Sequence, residues 1–183
     1  KVKTRLAATM GDDKALSIYQ SLLEHTVQIT QRLTCDRYVF YADGISQNDV
    51  WSDNLYLKKN QEGNDLGQRM LHAFDTLFQQ GYQKIIIIGT DCFELSLSIL
   101  SDAFTVLDEK EVVLGPSVDG GYYLLGMRRF FPFLFEEKAW STDSVYSSTV
   151  QQLAMQNISY DLLPVLNDID TEDDWKQHLH QQL

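Results

Sequence analysis

Asp91 sits at the sharpest chemical boundary in the chain. Four isoleucines, Ile85 to Ile88, stop at Gly89, Thr90 and Asp91, with Cys92 behind them. A carboxylate at the end of an apolar strand is placed where open α/β sheets bind ligands, in the crevice beyond the strands' carboxyl ends. Two more carboxylates, Asp168 and Asp170, occur in the segment Asn167-Asp168-Ile169-Asp170-Thr171. Asp91 and Asp170 together offer the hard oxygens that a divalent cation takes when a substrate diphosphate and water complete its shell. The opposite charge is concentrated at the start, where Lys1, Lys3 and Arg5 fall within five positions of a chain holding only 15 Lys and Arg. Cations so grouped suit a phosphate, and Thr90 adds a hydroxyl donor beside Asp91.

Two further clusters carry side chains suited to a sugar or an acceptor. In Asp119-Gly120-Gly121 the glycines permit positive φ and close approach of a ligand to the main chain. Asp119 could there serve as a general base. In Trp140-Ser141-Thr142 the indole could stack on a sugar or base face and the hydroxyls could bond to it. Each cluster also has a purely structural reading. Asp168 and Asp170 could support a following helix, the glycines a β-turn, Trp140 the core, Ser141 and Thr142 a helix start, and the basic end could simply be solvated. Cys92 has no histidine beside it and reads as inert packing, and His25, His72, His178 and His180 read as surface positions on helices.

Composition narrows the classes. With 183 residues and 44% hydrophobic content the chain is expected to form one α/β domain over residues 1–183. A net charge of −11 argues against a nucleic-acid partner. Cys35 and Cys92 lack metal-ligand spacing, and no apolar run reaches the ~20 residues of a membrane span, so a cytoplasmic location is expected.

The elements that would position these residues follow from periodicity. Helical spacing predicts helices over about 12–32, with Tyr19 among its apolar positions, and over 64–79, 96–107 and 144–156, with a last one capped by Thr171 and Asp174 and burying Trp175 and Leu179. Strands are expected at 38–41, 55–57, 85–88, 112–114, 122–127 and 160–165, with the 112–114 strand beside the Asp91 strand. The aromatic run Phe130 to Phe135 fits a core segment or a flap. Missing is the opening strand with which a doubly wound nucleotide-binding fold begins.

The ordered set Lys1 to Leu6, Gln61 to Met70, Gly89-Thr90-Asp91-Cys92, Gly115-Pro116 through Tyr123, Trp140-Ser141-Thr142 and Asp168-Ile169-Asp170-Thr171 resembles a bacterial family of GT-A-like transferases. That family is known as radical-SAM/selenodomain-associated glycosyltransferases and was formerly a domain of unknown function. The resemblance spans the chain and implies a nucleotide-diphospho-sugar transferase fold, a mostly parallel sheet flanked by helices. It further implies a nucleotide-sugar donor, a small acceptor and Mg²⁺ or Mn²⁺ on the diphosphate. Lys1, Lys3 and Arg5 match the family's basic loop and Asp91 its metal-type aspartate. Two departures stand out: Phe93 replaces a common proline, and the opening strand with its Pro-Gly turn is absent. Nucleotidyl transfer from a nucleoside triphosphate, or nucleotide sensing without turnover, would use the same cations, and the sequence leaves both open.

Overall fold

A computed structural model describes residues 3–181 of the chain. Two helices, α1 (Thr4–Met10) and α2 (Asp12–Thr30), come first, broken apart by Gly11 at φ 84°. Thr4 and Arg5 therefore sit on a helix, where the sequence suggested a loop. The short strands β1 (Tyr38–Tyr41) and β2 (Leu57–Asn60) pair in parallel, and the helix α3 (Leu66–Gln79) leads into β3 (Ile85–Ile88). Asp65 caps α3 by accepting from the Gln68 amide at 2.8 Å. Then come α4 (Leu97–Glu109), β4 (Val112–Pro116), β5 (Tyr122–Met127), a 3₁₀ turn at Pro132–Phe135, α5 (Val145–Met155), β6 (Tyr160–Leu162) and α6 (Glu172–Gln181).

The larger sheet has the order β3-β5-β4-β6. β5 runs antiparallel to both β3 and β4, and β6 runs parallel to β4. Three of the four strands thus point the same way, and the fourth is inserted between them. This corrects the expectation that β4 lies directly beside the Asp91 strand. The tight turn at residues 117–121, closed by Ser117 N–H to Gly121 O and Gly120 N–H to Ser117 O, folds β5 back into that place. The consequence for function is favourable. Because β3, β4 and β6 share a direction, the residues after each of them emerge at one end of the sheet.

One face of the sheet packs on α3, the 3₁₀ turn and α5 through Phe74, Leu77, Leu114, Leu125, Phe135 and Leu153. The aromatic run at 130–135 is therefore core. The other face meets α4 and the end of α2 through Leu100, Leu107, Val113, Tyr123 and Leu124. A third cluster, Leu6, Ala15, Ile18, Leu22 and Ile169, fixes α1 and α2 to the segment before α6. In α6, Trp175 packs toward that cluster, whereas Leu179 is exposed, contrary to the helical-face reading. His25 and His178 are likewise not plain surface groups, for both rings pack on Phe93.

The alternation of β5 puts Tyr122 and Tyr123 on opposite faces of the sheet, opposite a bulge between Gly115 and Pro116. The Tyr123 ring crosses directly over Gly115, where a Cβ would meet the ring at 2.4 Å. From there its hydroxyl donates to the Pro164 carbonyl at 3.0 Å and holds the strand extension that carries Asp168 and Asp170. Gly115→Val should therefore lower the urea midpoint with an unchanged slope, a loss of roughly 1–3 kcal/mol. Tyr123→Phe should cost only about 1 kcal/mol. A wild-type midpoint in Gly115→Val would show that the ring does not depend on that approach.

Candidate functional site

The site is built on backbone. Beyond β3, Gly89 N–H bonds to Tyr123 O at 3.0 Å, which directs the chain outward to Asp91. Beyond β6, the chain continues alongside β4 through a parallel bridge of Ser117 with Leu166 and a bond from Leu166 N–H to Pro116 O. Buried Ile169 then donates its N–H to the Asp91 carbonyl at 2.8 Å. This bond locks the loop after β3 to the loop after β6, so that Asp91 and Asp170 face one point. Thr171 and Asp174 form the expected cap: Asp174 accepts from the Thr171 amide and hydroxyl, both at 2.7 Å, and from the Asp170 amide.

At the point where the two carboxylates converge lies an ammonium. Lys3 Nζ is 3.0 Å from Asp91 Oδ1 and 2.9 Å from Asp170 Oδ1, with only 7% of its side chain exposed. Burial by itself would lower the Lys3 pKa, but Asp91 and Asp170 outweigh it and the net shift is upward. Its backbone is left-handed at φ 48°, a strained region for a lysine, and its carbonyl accepts from Ala7 N–H as α1 begins. Arg5, mostly solvent-exposed, approaches Asp170 Oδ2 at 3.5 Å. These side chains, with Thr4 and Tyr19, line an open cleft of about 320 Å³.

Of the residues expected from sequence, Lys3, Arg5, Asp91 and Asp170 meet in this cleft. Lys1 lies outside the described residues. Thr90 adjoins Asp91 but does not line the cleft. Asp119 accepts from Ser117 Oγ and from the Gly121 amide at 2.9 Å, so its carboxylate is held by its own turn. Gly120 has φ 86°, and a Cβ there would strike the Asp143 carbonyl at 2.2 Å. Gly121 does not have positive φ. Its neighbour turn is also tied to α5 by Tyr146 N–H to Gly120 O. Trp140 packs closely against Gly67 at the start of α3, where a Cβ would meet the indole at 2.0 Å, and stacks with Phe135, with the Lys138 ammonium 5.6 Å from its ring. Ser141 is left-handed at φ 62°, and Thr142 Oγ1 donates to Ala139 O at 2.7 Å. Trp140, Ser141 and Thr142 are thus set in a loop outside the cleft lining.

Tyr19 was missed as a site residue because its helical spacing made it look like one more core position. Its hydroxyl pKa is raised by burial and then by the Asp91 charge. Asp168 is the other addition of weight. Burial pushes its carboxyl up to about 7, with Asp91, Asp119 and Asp170 adding to the shift and Lys3 opposing it. The Asp119 turn follows β4 and so lies at the same end of the sheet as the other three carboxylates. Cys92 is 2% exposed, and burial pushes its thiol up to about 12, in keeping with inert packing.

A divalent cation fits this donor set in one respect: two carboxylates already converge on a single positive charge. Among the described residues no group of three or more His, Cys, Asp or Glu side chains could hold a metal. Oxygens of a bound diphosphate and water would have to complete the shell.

The Asp168 shift has a consequence for stability in metal-free buffer. A carboxyl whose pKa is higher folded than unfolded makes the folded state bind the extra proton between about pH 4 and 7. Stability should then fall as pH rises through that window and level off above it. Asp168→Asn should flatten the slope and be the more stable protein at pH 8, as read by urea denaturation in EDTA. Equal slopes in the two proteins would mean that Asp168 titrates normally.

The comparisons with known proteins bear on the family and the fold. The sequence profile of the DUF2064 family, an uncharacterized protein conserved in bacteria, matches residues 25–142. A crystal structure from Desulfovibrio desulfuricans G20, titled a "putative nucleotide-diphospho-sugar transferase", superposes with TM-score 0.92 at 32% identity. That match covers 100% of this chain and 81% of the other. Rv0371c from Mycobacterium tuberculosis H37Rv and its homolog from Mycobacterium sp. strain JC1 align over 87% of this chain with TM-scores of 0.52 and 0.55. Their identities are 13% and 15%, and they cover 83% and 82% of their own chains, a likeness of fold alone. No curated protein matches the sequence. Among the described residues no helix is long and apolar enough to cross a membrane. The α/β fold is that of the Desulfovibrio structure, and the chain belongs to the DUF2064 family.

Proposed function

We propose that this chain is a glycosyltransferase that binds a nucleotide-diphospho-sugar in the cleft at Lys3, Arg5, Asp91 and Asp170 and passes the sugar to a small acceptor. The observation that carries the reading is the pairing of convergent carboxylates with cations at the common end of β3, β4 and β6. The whole-chain similarity to the Desulfovibrio structure supports it.

In this reading Arg5 reaches from α1 to the diphosphate, since its guanidinium is solvent-exposed and only loosely engaged by Asp170. Asp91 and Asp170 would hold Mg²⁺ or Mn²⁺, which when bound supplies charge stabilisation for the departing diphosphate. Tyr19 closes the side of the cleft facing α2 and offers a hydroxyl to the donor. Asp119 lies on the acceptor side, with its carboxylate oriented by Ser117 and the Gly121 amide so that it can take the acceptor's proton.

The test is a thermal-shift panel of nucleotide-diphospho-sugars against nucleoside triphosphates, with and without Mn²⁺. A ligand at about 100 times its dissociation constant adds roughly 2.7 kcal/mol of stability, a readily visible shift. Metal-dependent shifts with nucleotide-sugars alone are expected. Shifts with triphosphates alone would replace the reading with nucleotidyl transfer, and binding without turnover would leave a sensor. Asp91→Asn should fold and lose the metal-dependent component of donor binding. Arg5→Ala should weaken donor binding by about tenfold or more while leaving sugar preference unchanged. Calorimetry showing wild-type donor affinity in both variants would move the donor site elsewhere.

A further inference from the structure

The Lys3 ammonium occupies the point to which both proposed metal ligands are directed, and in the cleft lining cations and carboxylates match in number. Lys3 and Arg5 contribute two positive charges, and Asp91 and Asp170 two negative ones. A bare divalent cation entering this cleft would have to displace a buried ammonium from two ion pairs about 3 Å long. Unlike charges so close interact strongly even at a moderate effective dielectric constant. A divalent cation arriving with a diphosphate is electrically neutral as a complex. It gives the displaced ammonium a new anionic partner as well, because the phosphate oxygens arrive at the same point.

We infer that Lys3 is an internal counter-cation that excludes free divalent metal from the Asp91–Asp170 pair and yields only to a metal–diphosphate complex, with its ammonium passing from the carboxylates to the phosphate. This rests on the donor-site reading above and adds an order to it. Metal and donor enter together, and the apo site is kept from binding metal that has no substrate. The left-handed backbone of Lys3, at the N-terminus of α1, accompanies a side chain engaged by two ion pairs.

The test is binding of MnCl₂ alone, followed by electron paramagnetic resonance, to the wild-type chain and to Lys3→Met and Lys3→Arg. No nucleotide is present, so failure of the donor reading, seen as absence of any nucleotide-sugar shift, stays separate from failure of this one. Wild type and Lys3→Arg should bind Mn²⁺ in the millimolar range or weaker, and Lys3→Met should bind it about tenfold or more tightly. Equal affinity in wild type and Lys3→Met would overturn the inference, as would Lys3→Arg binding as tightly as Lys3→Met. The wild-type measurement decides even if Lys3→Met does not fold, because micromolar Mn²⁺ affinity in the unaltered chain is incompatible with a resident counter-cation.

Discussion

A buried ammonium needs carboxylates, and much of the arrangement around the cleft follows from supplying two of them to Lys3. Asp91 and Asp170 are 79 positions apart in sequence and are brought within 3.0 Å of one nitrogen. The bond from Ile169 N–H to the Asp91 carbonyl and the packing of Leu6 and Ile18 with Ile169 hold the two loops and α1 in register. Removing one partner from a buried ion pair typically costs about 3–5 kcal/mol, although the greater exposure of Asp91 reduces that figure here. The three-way contact therefore couples stability to the same atoms that the proposed function uses.

The sheet contributes direction. The α4 crossover makes β4 parallel to β3, β5 turns back between them, and β6 joins β4 in parallel, so the chain leaves β3, β4 and β6 at one end of the sheet. The turn at 117–121 lies at the same end, and the Asp168 carboxyl is raised first by burial and then by the charges of Asp91, Asp119 and Asp170. Convergent carboxylates already paired with Lys3 and Arg5 would suit a ligand that brings its own charge balance, as a metal–diphosphate complex does. That is the electrostatic sense in which the site is prepared for its ligand.

Much of this was legible in the sequence, for identifiable reasons. The four isoleucines can only be a strand, so the position of Asp91 at its end followed, and Thr171 with Asp174 announced the cap that the structure contains. The pairing of Lys3 with Asp91 and Asp170 was not legible, because no local pattern encodes contacts between residues so distant. Nor was the insertion of β5, which depends on a bulge at Gly115 and on a turn whose partner strand cannot be read from alternation alone. Tyr19 and Leu179 show the limit of periodicity from both sides. Helical spacing assigned both to the core, yet one lines the cleft and the other faces solvent.

The central claim is that a diphosphate binds between Arg5 and the Asp91–Asp170 pair. It is tested most directly by ³¹P nuclear magnetic resonance of a nucleotide-diphospho-sugar titrated with the protein in the presence of Mg²⁺. The account predicts that both phosphorus resonances broaden and shift with added wild-type chain, and that Asp170→Asn combined with Arg5→Ala abolishes the effect. Resonances that respond equally to wild type and to the double variant, or to neither, would contradict it.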